Sequence, residues 1–130
     1  VLAYGESVHY KEHVEQLGAQ YRALRAAAVH AGPYARVPTC PDWGIPDLLG
    51  HLGRVYAWIP LLIGADSPPA RPEAPKRWGE LVPWTDTQMD GLTHTLADTD
   101  PDTRTWFGAA DIEVTMAFWA RRMANETAIH

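Results

Sequence analysis

The 130-residue chain carries 46% hydrophobic and 21% charged residues, the composition of a single soluble domain, residues 1–130, with a sizeable core. Its formal charge of −5 argues against a nucleic-acid footprint, and its most apolar run, residues 57 to 65, is broken by Pro60 and is too short to span a membrane. A lone cysteine excludes an internal disulfide, and with no secretory leader visible a reducing cytoplasm is the expected compartment.

Tyr10, Val14, Leu17, Tyr21, Leu24 and Ala28 recur at helical spacing, so a first helix is expected over residues 6 to 31, stopped by Gly32 and Pro33. Residues 38 to 43 read as turn material. Asp42 or Gly44 is placed to cap a second helix, Pro46 suits its first turn, and the stripe Leu48, Leu52, Val55, Ile59 and Leu62 carries it to about Ile63. Pro60 inside that run predicts a change of geometry in its last turn.

Five prolines and little periodicity mark residues 65 to 83 as a long crossover rather than a tight antiparallel turn. A third, weaker helix is expected from 85 to 97 with Met89, Leu92 and Leu96 inward, ended by the DTDPDT stretch. The fourth is expected to begin near Ala110 or Asp111. No alternating pattern predicts a strand of useful length, so the expected class is all-α, a four-helix bundle without a sheet.

The last helix carries the chemistry. At about 100° per residue, Ile112, Met116, Trp119 and Met123 fall within roughly 60° of one another, and Glu126 and His130 continue the same stripe. A carboxylate on a buried face needs a cation, a proton or a charged partner, because burying it unpaired costs several kcal/mol. A divalent metal with His130 as a second ligand one turn away meets that need. A hydrogen-bonded Glu–His couple, or a helix rotated so that both reach solvent, meets it equally. His51, at the edge of the second helix's apolar stripe, is the best candidate for a third ligand.

The segment VPTCPDWGIPDLLGHLGRVYAW, together with FWARRMANETAIH, resembles the amino-terminal domain of the mycothiol-dependent maleylpyruvate isomerase family, within the DinB-like superfamily of metal-binding four-helix bundles. The resemblance implies that His51, Glu126 and His130 bind a divalent metal, usually zinc. It also implies a mycothiol cofactor and a small electrophilic substrate: the thiol sulfur adds to the cis double bond of maleylpyruvate, the adduct rotates, and elimination releases the trans isomer. Family members continue past the last ligand, often into a second domain, so the chain is expected to be a fragment, and isomerisation to require the longer form.

Two classes of function follow. One is a metal- and thiol-dependent enzyme of isomerase or S-transferase type, and the other is a metal-binding bundle serving as a recognition or regulatory module without turnover. An open coordination position favours the enzyme. Elsewhere, His9 and His13 run off the flank of the first helix towards solvent, and Arg121 with Arg122 reads as a solvated face. Cys40 reads as a structural thiol, His30 and His94 as surface residues, and Trp43 and Trp119 as core or pocket walls. Trp58, on the same side of the second helix as His51, is placed to line the mouth of a metal cavity.

Overall fold

The computed structural model describes residues 4–38, 40–105 and 114–129. Four long helices dominate: α1 (Tyr4–Ala31), α2 (Ile45–Trp58), α3 (Trp78–Asp98) and α4 (Met116–Ile129). Helix α1 buries Tyr10, Leu17, Tyr21 and Ala28, with Val14 and Leu24 packed at the edge of the core. It stops where expected, at Gly32, whose φ of 88° is costly for any residue with a Cβ and whose N–H bonds the carbonyl of Ala28 at 2.9 Å.

The expectation of no sheet is corrected. Two small antiparallel ladders are present, β1 (Arg36–Val37) with β2 (Cys40–Gly44), and β3 (Arg104–Thr105) with β4 (Val114–Thr115). The two-residue strands β1, β3 and β4 cannot display the alternation that marks a strand in sequence, and the five residues of β2, CPDWG, do not alternate in burial either. The first ladder delivers the chain to α2, where Gly44 is the N-cap and its N–H is bonded by the Asp47 carboxylate at 2.9 Å. Helix α2 then buries Leu48, Leu52 and Val55 as the periodicity requires. Pro60, lacking an N–H, ends α-helical pairing, and Ile59–Leu62 form a single 3₁₀ turn.

The crossover is narrower than the prolines suggest, because α3 begins at Trp78 rather than Thr85 and holds Pro83 inside it. The acceptor that Pro83 leaves without a donor belongs to exposed Gly79, where water can serve it. The chain between Gly64 and α3 is fastened to α2 by its side chains. Arg54 Nε donates to the carbonyl of Pro72 at 3.0 Å and Trp58 Nε1 to that of Pro69 at 2.8 Å, while the Arg71 guanidinium lies 4.9 Å above the Trp58 ring.

Helix α4 starts at Met116, later than expected, because β4 occupies Val114–Thr115; the expected start at Ala110 or Asp111, and Ile112 of the expected stripe, lie outside the described residues. Met116, Trp119 and Met123 are buried as expected. The N–H groups of Met116 and Ala117 are bonded by the carbonyls of Thr103 and Pro101, both at 3.0 Å, and Trp119 Nε1 donates to Thr105 Oγ1 at 2.7 Å. The second ladder therefore anchors the start of the helix.

Helix directions follow from the cross-links. Tyr10 donates to the Leu96 carbonyl and Tyr21 to Asp86, so α1 and α3 are antiparallel. His51 meets Glu126 and Trp58 meets Trp119, so α2 and α4 are antiparallel too. His9 and His13 share a groove with residues 115 to 126, and residues 20 to 31 share another with Thr127 and Ala128, so α1 and α4 run parallel. Helices α2 and α3 must then also be parallel, and the long connection between them makes that possible. No helix among the described residues is long and apolar enough to cross a membrane.

One polar network ties α1 to α3. Asp86 accepts from Tyr21 Oη at 2.6 Å and from Arg25 Nε at 2.8 and 3.0 Å. Burial alone would raise its pKa, but these hydrogen bonds and the Arg25 charge hold the carboxyl below its ordinary value. A depressed carboxyl pKa adds stability above the unfolded-state value of about 3.9 and loses it as the pH falls through the folded value. Asp86→Asn should therefore lower stability at neutral pH by roughly 1–2 kcal/mol, and the deficit should shrink below about pH 4 in denaturant titrations.

Candidate metal centre

Side chains of α2 and α4 meet along a seam between the two helices, and there His51 Nε2 lies 3.5 Å from Glu126 Oε1. Each gets there by periodicity. His51 stands one turn before Val55 at the edge of the α2 stripe, and Glu126 follows Met123 on the α4 stripe where the core gives out. Their side chains retain 30% and 26% of their exposure, so a small molecule can reach them from outside.

A separation of 3.5 Å is long for a hydrogen bond. It suits two donors that share an ion: atoms about 2.0–2.2 Å from one tetrahedral centre lie roughly 3.3–3.6 Å from each other. An imidazole nitrogen and a carboxylate oxygen form a donor set that zinc and other divalent ions accept. His130 lies outside the described residues. Among the described residues no three His, Cys, Asp or Glu side chains converge, so the part of the site on view is the His51–Glu126 pair.

The surroundings hold that pair in place. The Trp43 ring, carried by β2, is 5.2 Å from the His51 ring, tilted by 51°. Beside Glu126, buried Thr127 and Tyr56 share a hydrogen bond of 2.7 Å between their hydroxyls, which links α4 to α2 directly. Burial pushes the Tyr56 phenol far above its ordinary pKa and the Glu126 charge adds to the rise, while the Thr127 bond opposes it. Tyr56 is therefore a fixed neutral hydroxyl. Its removal as Tyr56→Phe should leave Thr127 without its partner and cost about 1–2 kcal/mol of stability, measurable by urea unfolding.

Two openings flank the pair. On the α2 side a cavity of about 490 Å³ is lined by Trp43, Asp47, His51, Arg54 and Lys76. On the α4 side a groove of about 660 Å³ is lined by His9, His13, Phe118, Arg121, Arg122 and Glu126, among others. His13 has a lowered pKa, mainly from burial, with the Arg121 and His9 charges adding to the effect against Glu12.

Sequence reasoning selected Trp58 for the mouth of the site, whereas the ring beside His51 is Trp43. Trp58 instead packs edge-on against Trp119, with centroids 6.0 Å apart, and receives the crossover. Tyr56 and Thr127 were not legible as part of the site; a hydroxyl on each helix, one position from the apolar stripe, was the available signal. Cys40 is half-buried in β2.

Comparison with curated proteins and with solved structures gave no match. A family model described as the mycothiol maleylpyruvate isomerase N-terminal domain matches residues 14–130, from within α1 through α4, and includes both His51 and Glu126. The chain belongs to the mycothiol maleylpyruvate isomerase N-terminal domain family.

Proposed function

We propose that this chain is the DinB-like metal-binding domain of a cytoplasmic mycothiol-dependent enzyme of isomerase or thiol S-transferase type, with His51, Glu126 and His130 as ligands to a divalent ion, zinc by donor preference. The observation that carries the reading is the approach of His51 to Glu126 across the α2/α4 seam at a spacing suited to a shared ion. The parallel α1/α4 and α2/α3 pairing supports the bundle assignment, and the family supports mycothiol as the thiol.

A metal held there supplies Lewis acidity that keeps a bound sulfur in its thiolate form near neutral pH. The chain's own residues do the rest. Trp43 limits rotation of the His51 ring, and the Tyr56–Thr127 bond fixes the helix register on which Glu126 depends. The residual exposure of both ligands, with a cavity on either side, favours a working site over a closed structural one.

Mycothiol should bind only to zinc-loaded protein and should release a proton on binding, since the thiol is deprotonated as it coordinates. Calorimetry in buffers of different ionisation enthalpy tests this directly. Equal affinity of the zinc-loaded and zinc-free forms, with no dependence on buffer, would favour the non-catalytic module.

A further inference from the structure

The groove between α1 and α4 has an unusual charge pattern for a chain of net charge −5. Its walls carry Arg121 and Arg122 from α4 and His9 and His13 from α1, with Phe118 supplying an apolar surface. Neither arginine makes an ion pair or a side-chain hydrogen bond among the described residues. Guanidinium groups present planar, two-pronged donors that match a carboxylate, and two of them lining one groove without a carboxylate partner among the described residues offer a receptor for one. The acid among the described residues lining the groove is Glu126, which also faces His51.

We propose that the α1/α4 groove is a binding site for a small carboxylate-bearing ligand, held by Arg121 and Arg122 with its far end beside Glu126. Its role as the anchor of an electrophilic substrate rests on the metal reading above; the anion binding does not. A cation on Glu126 would cancel the charge that opposes the anion, which couples the two sites in a definite sense.

The experiment uses malonate as probe and amide NMR titrations at low ionic strength, with a chelator present so that no metal can bind the anion. Malonate should shift resonances of residues 9–13 and 117–126. Arg121→Gln and Arg122→Gln should each weaken binding about fivefold, as exposed ion pairs do, and the double substitution should abolish it. Both arginines are exposed, so the variants should keep the parent's helical circular dichroism. Glu126→Gln should bind malonate at least as tightly as the parent. Binding that survives the double substitution, or shifts confined to the surroundings of Arg54 and Lys76, overturns the proposal. Zinc titration of the same Glu126→Gln protein separates the two readings: retained zinc affinity defeats the metal reading and leaves the groove standing.

Discussion

His51→Ala and Glu126→Gln should each lower zinc affinity by more than about a hundredfold, because loss of outer-shell partners alone costs up to about that much at metal sites. The two variants should differ without metal. Glu126→Gln removes the seam's carboxylate charge, so the zinc-free variant should melt at or above the zinc-free parent. His51→Ala leaves Glu126 facing the seam without its imidazole, and relief must come from water or protonation. Zinc at a hundred times its Kd should stabilise the parent by about 2.7 kcal/mol, a rise of roughly 10 °C for a domain of this size. Thermal melts with zinc and with chelator measure all of this. A parent and variants that respond equally to chelator would show that the ligands lie elsewhere.

Gly53→Val should be among the most damaging substitutions in the protein, at about 3 kcal/mol. Gly53 sits where α2 touches α3, and a Cβ there would lie 2.4 Å from Trp84 Cζ3 and 3.1 Å from Thr85 Oγ1. Neither neighbour yields easily, since Trp84 packs on the core and Thr85 is fully buried with its hydroxyl bonded to the Leu81 carbonyl at 2.9 Å. Helix propensity favours alanine over glycine by about 1 kcal/mol, so Gly53→Ala is the informative comparison. It should still destabilise, and combination with Trp84→Leu should recover part of the loss. Urea unfolding of the single and double variants decides it: a stabilised Gly53→Ala would mean that the two helices are not in close contact at this position.

The apolar stripes of α1, α2 and α4 were legible because a buried helical face repeats with its own period, and Pro60 marked its change of geometry by lacking a donor. Pro83 misled for the same reason: near the start of α3 its missing N–H faces an exposed carbonyl, so what reads as a boundary is tolerated inside the helix. The ladders were not legible, because each pairs only two positions of one strand with its partner, too few to show an alternating pattern. Of the candidate site, the approach of His51 to Glu126 could be anticipated from two helical wheels. The Trp43 contact could not, since it depends on where β2 lays its side chains. His9, His13, Arg121 and Arg122 each read as solvent-facing on their own helices, and only the parallel pairing of α1 with α4 assembles them into one groove.

That parallel pairing also orders events during synthesis. Helices α2 and α3 are neighbours in sequence as well as in space, so their seam closes over a modest loop. Helix α1 is made well before one of its main packing partners, α4, and contacts between segments so far apart are the slow ones to form. Until residues from Met116 onward leave the ribosome, part of the apolar face of α1 lacks its native cover and is open to chaperones or to other nascent chains. The His51–Glu126 pair needs α4 as well, so it forms only once that helix has docked.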